Sequence, residues 1–407
     1  MKKGAIRAAS QPKISTPFAA TRVASVDAFR GFVMLLMLAN VINFSSVAHA
    51  VPESGFWEFL SFNSQHVSWA FGSLEDMIQL GFTFLVGVAL PFSIASRIKK
   101  GGAKRSIMIH AIKRSLILIF LGVFLRSISR EQTYWTFEDT LSQIGLGYTF
   151  LVVLGFYSQR VQFWALIIIL VGYWLAFALY PVSISSSDYK TIEQTPHLIH
   201  NVEGFAAHWN LDANVALAFD RWFLNLFPRK SPFLFNPGGY YTLSFIPTLG
   251  TMILGLFAGN LIKSDSTQKS KLKFFIITGV ALFALGIILH VTGINPVVKR
   301  LWTPAWVIWS GGICFLFLAF FYGIIDMAGW KKWSFFLIVI GMNSIAAYVI
   351  ADGGMSGFID RSLHTHLGQN YTEKFGVYGT IVNGILVLLF MWLILYWMYK
   401  KKIFIRI

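Results

Sequence analysis

Charge is what this chain has least of: Asp, Glu, Lys and Arg supply only 13% of its 407 residues, about half the share usual in a soluble domain. Hydrophobic residues make up 56%, so much of the surface must face something other than water, and that solvent is lipid. Cysteine is nearly missing. The one thiol, Cys314, falls inside an apolar run, which excludes an intramolecular disulfide and a cysteine metal cluster and argues against redox chemistry. Acidic residues are also few, 18 against 34 basic, for a net charge of +16. The basic residues lie in short loops between apolar runs, the pattern of a membrane protein, and no nucleic-acid partner is expected. Residues 1–24 contain no apolar core of signal-peptide type and read as a flexible cytoplasmic tail.

What the chain does have is long apolar runs. A helix needs about 20 apolar residues to cross the hydrocarbon core, and such runs are too long for barrel strands. Ten are expected, at 29–49, 72–96, 106–127, 141–158, 161–181, 240–262, 273–291, 303–325, 334–352 and 377–399. The fold class is therefore an all-α polytopic membrane bundle, read as a single domain over residues 25–407. Counting the loops on alternate sides places 24 of the 34 basic residues on the face that carries both termini. By the positive-inside rule that face is cytoplasmic. One loop is long, residues 182–239 on the opposite face, either a lid over a membrane cavity or an ordered connector. Its histidines, His197, His200 and His208, lack a nearby carboxylate or cysteine partner, so no metal is expected. No internal repeat of transporter spacing is visible.

Ionisable and polar residues inside membrane helices are costly and are candidate functional groups for that reason. Asp27 and Arg30, three apart at the start of the first run, form either a structural ion pair or a site for an anionic ligand at the membrane face. Asp76, Gln79 and Thr83 share one face of the second run, which should turn inward. His66 stands just before that face. Histidine titrates near neutrality and next to a carboxylate suits general-base work, although an interfacial histidine without a function fits the residues equally well. Asn40, Asn43, Glu138, Asp139, Gln143, Asn343, Tyr348 and Asp352 complete the polar set, with Tyr348 and Asp352 on one helix face, and together they imply a polar interior cavity.

Three blocks then resemble a known family. SVDAFRG at 25–31, HVSWAFGSLEDMIQLGFTFLVGVALPFS at 66–93, and INPVVKRLWTPAWV at 294–307 with GMNSIAAYV at 341–349 are similar, in order, to heparan-α-glucosaminide N-acetyltransferase and its bacterial homologues. LSQIGLGYTF at 141–150 is a shorter echo. The resemblance implies an acetyltransferase that takes acetyl from cytoplasmic acetyl-CoA to an amino sugar across the membrane, in a bacterial inner membrane with both termini cytoplasmic. It places the essential histidine on His66, as general base or transient acetyl carrier, with Asp76 orienting it. The basic face would hold the CoA phosphates through Arg30, Lys104, Arg105 and Arg114, with Asp27 beside Arg30. Asn40, Gln79, Gln143, Asn343 and Asp352 are the expected substrate-binding residues. Acetyl-CoA is then the only co-substrate, without a metal, and the partners are membrane lipid and a small-molecule amino sugar or glycan terminus, with a homodimer as the candidate assembly. Asn236-Pro237-Gly238-Gly239 departs from the family's Asp-Pro-Glu-Gly, and Ala351 stands where a histidine can occur; both departures bear on the acceptor. The alternative from another class is an amino-sugar permease.

Overall fold

The computed structural model describes residues 23–181, 204–211 and 214–405. Its helices are α1 (Ala24–Ala39), α2 (Phe44–Ala50), α3 (Gly55–Asn63), α4 (Met77–Lys99), α5 (Lys104–Ser127), α6 (Thr140–Leu154), α7 (Gln159–Ala178), α8 (Val215–Phe223), α9 (Phe245–Lys263), α10 (Gln268–Val291), α11 (Pro304–Phe321), α12 (Phe335–Gly341), α13 (Ser344–Asp352), α14 (Met355–Leu367) and α15 (Gly379–Lys400). Among the described residues there is no strand, only isolated bridges from Ala70 and Phe71 to Val298.

The protein is an all-α polytopic membrane protein, and the expected count of about ten crossings is not confirmed among the described residues. Among the described residues, seven helices are long and apolar enough to cross a membrane by themselves: α4, α5, α7, α9, α10, α11 and α15. Two of the expected runs are broken. The first bends by 56° between α1 and α2, and the ninth bends by 68° between α12 and α13. Counting each bent pair as one span gives up to nine. The fourth run forms α6, which has 15 residues and falls short of the ~20 that a perpendicular crossing needs. Hydropathy averaged along a run cannot see a break, because the residues on both sides of it are equally apolar.

Inner and outer helices separate by burial. The most apolar stretch of α4 is 67% buried within the protein, whereas that of α10 is only 17% buried and presents its side chains to lipid. Association between helices in lipid rests on close packing more than on the hydrophobic effect, so small residues mark the seams. A Cβ on Gly255 of α9 would lie 1.9 Å from the carbonyl oxygen of Phe84 in α4, and one on Gly87 would lie 1.9 Å from that of Met252. The backbones of α4 and α9 therefore touch. Gly31 and Gly341 bring α1 and α12 together in the same way.

Gly255→Val should therefore lower the apparent melting temperature in detergent, corresponding to a loss on the order of 1–3 kcal/mol from overpacking. Gly172 of α7, where an added Cβ meets nothing within 4 Å, supplies the control, and Gly172→Ala should not lower the melting temperature. Equal melting temperatures for Gly255→Val and the native protein would show that the α4–α9 seam is not close-packed.

Candidate functional site

At one end of the bundle two segments distant in sequence, 66–76 and the loop that carries Lys299, meet at Asp76. It stands at the N-terminal boundary of α4 and is only 1% exposed through its side chain. One carboxylate oxygen receives His66 Nδ1 at 2.9 Å and Lys299 Nζ at 2.9 Å. The other accepts from the backbone N–H of Val67 at 3.1 Å and of Ser73 at 3.0 Å, and from the Ser73 hydroxyl at 3.2 Å. Burial by itself would raise the pKa of this carboxyl, but the His66 hydrogen bond and the Lys299 charge and hydrogen bond outweigh it and hold the group well below the usual carboxylate range. Asp76 is thus a permanent anion.

That fixes the tautomer of His66. Lys299 Nζ also approaches His66 Nδ1, at 3.3 Å, but the buried carboxylate is closer at 2.9 Å and carries the negative charge, so Nδ1 bears the proton and donates to Asp76. Nε2 is left with its lone pair. The imidazole is 46% exposed, at the rim of the protein, where a reactant can reach it. An anionic carboxylate behind a neutral imidazole orients the ring and stabilises the imidazolium that forms when Nε2 takes a proton.

Lys299 comes from the loop between α10 and α11, and the geometry of that loop is tightly specified. Phe71 N donates to Val297 O at 2.9 Å. Phe71 and Trp302 adopt left-handed backbone, with φ of 62° and 51°, a conformation that bulky residues hold only when their surroundings impose it. Thr303 caps α11 through Trp306 N at 3.2 Å and donates its hydroxyl to Pro296 O at 2.6 Å. Next to Lys299, the Arg300 guanidinium donates to Val67 O at 3.3 Å and to Gly238 O and lies over the Tyr240 ring. The Asn236–Gly239 turn is thereby drawn onto the site.

A cavity of about 430 Å³ opens beside this array, lined among others by Asn40, His66, Glu75, Gln79, Arg126, Glu138, Asn236, Tyr240, Lys299, Tyr348 and Asp352. The break between α1 and α2 falls at its wall, at Asn40. Asn40 Nδ2 donates to Glu75 Oε1 at 3.3 Å. Glu75 is 8% exposed; burial raises its pKa, the Lys299 charge opposes this and the Asp76 charge adds to it, leaving the group pushed up to about 7. Arg126, Glu138, Asn236 and Asp352 also line a second chamber of about 640 Å³, which continues outward past Arg130 and Tyr134.

A separate cavity of about 450 Å³ lies at the other end of the same helices, lined by Arg30, Arg97, Arg114, Tyr148 and Ser344 over a floor of Phe82, Val86, Ala89 and Leu90. Arg114 donates to the Tyr148 hydroxyl at 3.0 Å and stacks on its ring, 4.4 Å from the centroid. Arg30 pairs with Asp27 at 3.2 Å. The break between α12 and α13 falls at this cavity.

The sequence-predicted residues divide accordingly. His66, Asp76, Asn40, Gln79 and Asp352 meet at one end, and Tyr348 and Asp352 do share a cavity-facing side. Arg30 and Arg114 meet at the other, with Asp27 on Arg30, whereas Lys104 and Arg105 are exposed at the start of α5 and do not line that cavity. Two of the expected substrate-binding residues have their amides engaged elsewhere. Gln143 is 1% exposed, its amide donating to the carbonyls of Phe137, Tyr241 and Thr242, and Asn343 is 0% exposed and tied to Ile403 and Ile405 of the C-terminal segment. Thr83 bonds its own helix at Gln79 O, 2.7 Å away. Lys299, Glu75, Arg126 and Arg97 escaped the sequence reading. Lys299 lies inside a family-like block, the one signal that singles it out; for Arg97 the signal is its place one helix face along from Gln79. His208 donates from Nδ1 to Tyr180 O, 3.0 Å away, while His197 and His200 lie outside the described residues.

Lys299→Met, which strands the Asp76 charge, should destabilise the protein by about 3–5 kcal/mol, and Asp76→Asn combined with Lys299→Met should recover part of the loss. Additive losses in thermal melts of the single and double variants would mean that the two groups do not form a pair. Glu75 makes a separate prediction. A carboxyl raised from 4.5 to about 7 in the fold gives stability that is complete below pH 4.5 and lost as pH rises through about 7. Glu75→Gln should therefore melt progressively higher than the native protein across that window; parallel melting curves from pH 4.5 to 8.5 would refute the burial of an ionisable group there.

No protein-family model matches the chain. It is 25% identical to human (Homo sapiens) heparan-alpha-glucosaminide N-acetyltransferase over 95% of its own residues, and 23% identical to the mouse (Mus musculus) protein of the same name over 95%. The chain spans 60% and 61% of the lengths of these curated relatives. The resemblance seen in the sequence blocks thus extends along nearly the whole chain, and the His66–Asp76 and Lys299 segments both fall within it.

Proposed function

We propose that this protein is a membrane acetyltransferase that moves acetyl from acetyl-CoA to the amine of a glucosamine-type sugar. The observation that carries the proposal is the His66–Asp76–Lys299 array at a polar cavity, with a guanidinium-lined cavity at the opposite end of the same helices. Arginine forks suit phosphate groups, and the apolar floor of that cavity suits the thin pantetheine arm. The basic-residue asymmetry supports an orientation in which the arginine end faces the cytoplasm, the source of acetyl-CoA, and the His66 end faces the acceptor on the other side of the membrane.

An amino sugar arrives largely as an ammonium and cannot attack until it loses a proton. His66 Nε2 accepts that proton and Asp76 stabilises the resulting imidazolium. The amine lone pair attacks the thioester carbonyl, a C–N bond forms, the C–S bond breaks, and the thiolate leaves as CoA after taking up a proton. Asn40, Gln79 and Asp352 supply hydrogen bonds for sugar hydroxyls, and the adjoining chamber past Arg130 has room for a longer acceptor. The same Nε2 can carry acetyl as an acyl-imidazole; a single turnover without acceptor distinguishes the two routes, since only the carrier route releases CoA.

Purified protein given acetyl-CoA and a panel of amino sugars tests this reading. His66→Ala should lower transfer at least about hundredfold, the typical cost of losing a general base, while acetyl-CoA still binds. Arg97→Ala with Arg114→Ala should weaken acetyl-CoA binding, most at low salt, and Lys104→Ala with Arg105→Ala should have the smaller effect. A His66→Ala protein that transfers at the native rate removes His66 from the chemistry. The two-ended cavity system also suits an amino-sugar permease, and sugar uptake into proteoliposomes without any acetyl transfer would establish that reading instead.

A further inference from the structure

Away from both cavities, α7 and α10 flank a crevice of about 760 Å³ on the outside of the bundle, apolar except for Gln159, Arg160 and Thr278. Its floor is the buried surface of α9 and α11, where Leu254 and Phe315 are 6% and 1% exposed. Its rims are the exposed rings of Phe163 and Trp164 on α7 and Phe274 on α10. Membrane helices that pack closely do so through small residues. Here the facing positions carry large rings, and the gap stays open.

Depth limits what fits the crevice. On α7 its lining runs from Arg160 to Leu170 and on α10 from Phe274 to Leu285, which is ~15–17 Å at 1.5 Å per residue. The hydrocarbon core is ~30 Å thick, so the crevice is one leaflet deep. A transmembrane helix of a second copy would need a groove through both leaflets, whereas an acyl chain needs only one. The mouth is cationic. Arg160 lies there, exposed, with no hydrogen-bond, ion-pair or ring partner among the described residues. The α9–α10 turn, whose flanking Leu261 and Phe274 line the same crevice, carries Lys263, Lys269, Lys271 and Lys273 against one carboxylate, Asp265. Lys271 stands on the α10 face of Phe274 and Thr278. Its ammonium, on a side chain buried in the turn, donates to Ile262 O and Ser264 O at 2.7 Å each, neutral partners that leave its charge in place.

We infer that this crevice binds an anionic glycerophospholipid from the leaflet on the basic side: one acyl chain fills it and the phosphate lies on Arg160. A guanidinium presents paired N–H donors to phosphate oxygens, and basic pockets between transmembrane helices recognise anionic headgroups. A zwitterionic lipid brings a cation beside its phosphate, which the surrounding lysines repel, so the net-anionic headgroup is preferred. The site stands whether or not the protein transfers acetyl, yet it reaches the candidate site. The far end of α7 holds the loop that carries Lys299, the Tyr173 hydroxyl donating to Leu301 O at 3.0 Å and Trp174 Nε1 to Ile294 O at 2.9 Å. A lipid wedged between α7 and α10 braces the two helices from which that loop is suspended.

Full-length protein in a delipidating detergent is offered dioleoyl phosphatidylglycerol or dioleoyl phosphatidylcholine in equal amounts. Native mass spectrometry then reads both the lipid adduct and the oligomeric state. The native protein should retain one more phosphatidylglycerol per chain than Thr278→Trp, which fills the crevice without changing charge. Its preference over phosphatidylcholine should be at least about fivefold, the weight of one basic residue near a lipid headgroup layer, and Arg160→Gln should remove most of that preference. Lys331→Gln with Lys332→Gln, which removes two exposed charges before α12, should retain phosphatidylglycerol as the native protein does. Phosphatidylglycerol should also raise the melting temperature of the native protein more than that of Arg160→Gln or Thr278→Trp. Arg160 is exposed and its loss does not endanger folding, so the charge test holds even where Thr278→Trp is unstable. Equal retention of the two lipids, or native-like retention by Arg160→Gln, overturns the inference. An equal loss in the Lys331–Lys332 double variant overturns it in favour of diffuse attraction to the basic face. A native dimer that Thr278→Trp converts to monomer overturns it in favour of a second copy in the crevice.

Discussion

Asp76 and Lys299 bring two opposite charges, 223 positions apart in sequence, to 2.9 Å in a place almost closed to water. Desolvating either alone would cost several kcal/mol, so each is tenable only because the other is there, and the pair is tenable only because the remaining carboxylate lone pairs are filled. Val67 N, Ser73 N and the Ser73 hydroxyl fill them. The requirement propagates outward. It holds the 66–76 segment against the 295–303 loop, keeps Phe71 and Trp302 in left-handed backbone, and through Arg300 draws in the Asn236–Gly239 turn. His66 then has one orientation and one tautomer. The proposed base is thus a product of the ion pair behind it more than of its own helix.

A second constraint comes from the solvent. In hydrocarbon every backbone polar group must be satisfied within the protein, so an interrupted helix is tolerated only where protein or a polar cavity covers the gap. The two interruptions obey this. The α1–α2 break lies at Asn40 beside the His66 cavity, and the α12–α13 break lies at Met342 and Asn343, where Asn343 binds Ile403 O and Ile405 N and closes the gap with the C-terminal segment. Glycine seams hold the unbroken helices α4 and α9 in backbone contact. Rigidity at α4–α9 and irregularity at the two breaks are complementary parts of one design, since a site built on loops alone would lack a fixed wall and a bundle of straight helices would have no cavity.

Burial also sorts the site's two neighbouring carboxyls. Asp76 and Glu75 are consecutive residues in the same protein end, yet one is held as an anion and the other is pushed to about 7. The difference is the partner: Asp76 touches the cation and the histidine, while the Glu75 carboxyl accepts from the Asn40 amide and, among the described residues, has no cation in contact. Adjacent acids with opposite shifts supply a fixed charge and a titratable group to one cavity, a division of labour that suits proton movement at neutral pH.

The sequence alone determined the class of this protein, since apolar runs of about twenty residues have no stable home except a membrane and a helix is a local structure whose periodicity stays readable in the chain. It also marked His66, Asp76, Gln79 and Asp352, because polar residues within apolar runs are conspicuous and a helical face follows from spacing. Tertiary structure decided the rest. Gln143 and Asn343 look like the same kind of signal as Gln79, but their amides are occupied by carbonyls from segments far away, and amide chemistry does not say which partner it will meet. Lys299 and Arg97 look like ordinary loop charges, yet one is buried against Asp76 and the other lines the arginine cavity. The breaks in the first and ninth runs, and the stacking of Phe82 on Tyr348, depend on contacts between helices remote in sequence, and such contacts leave no periodicity for hydropathy to detect.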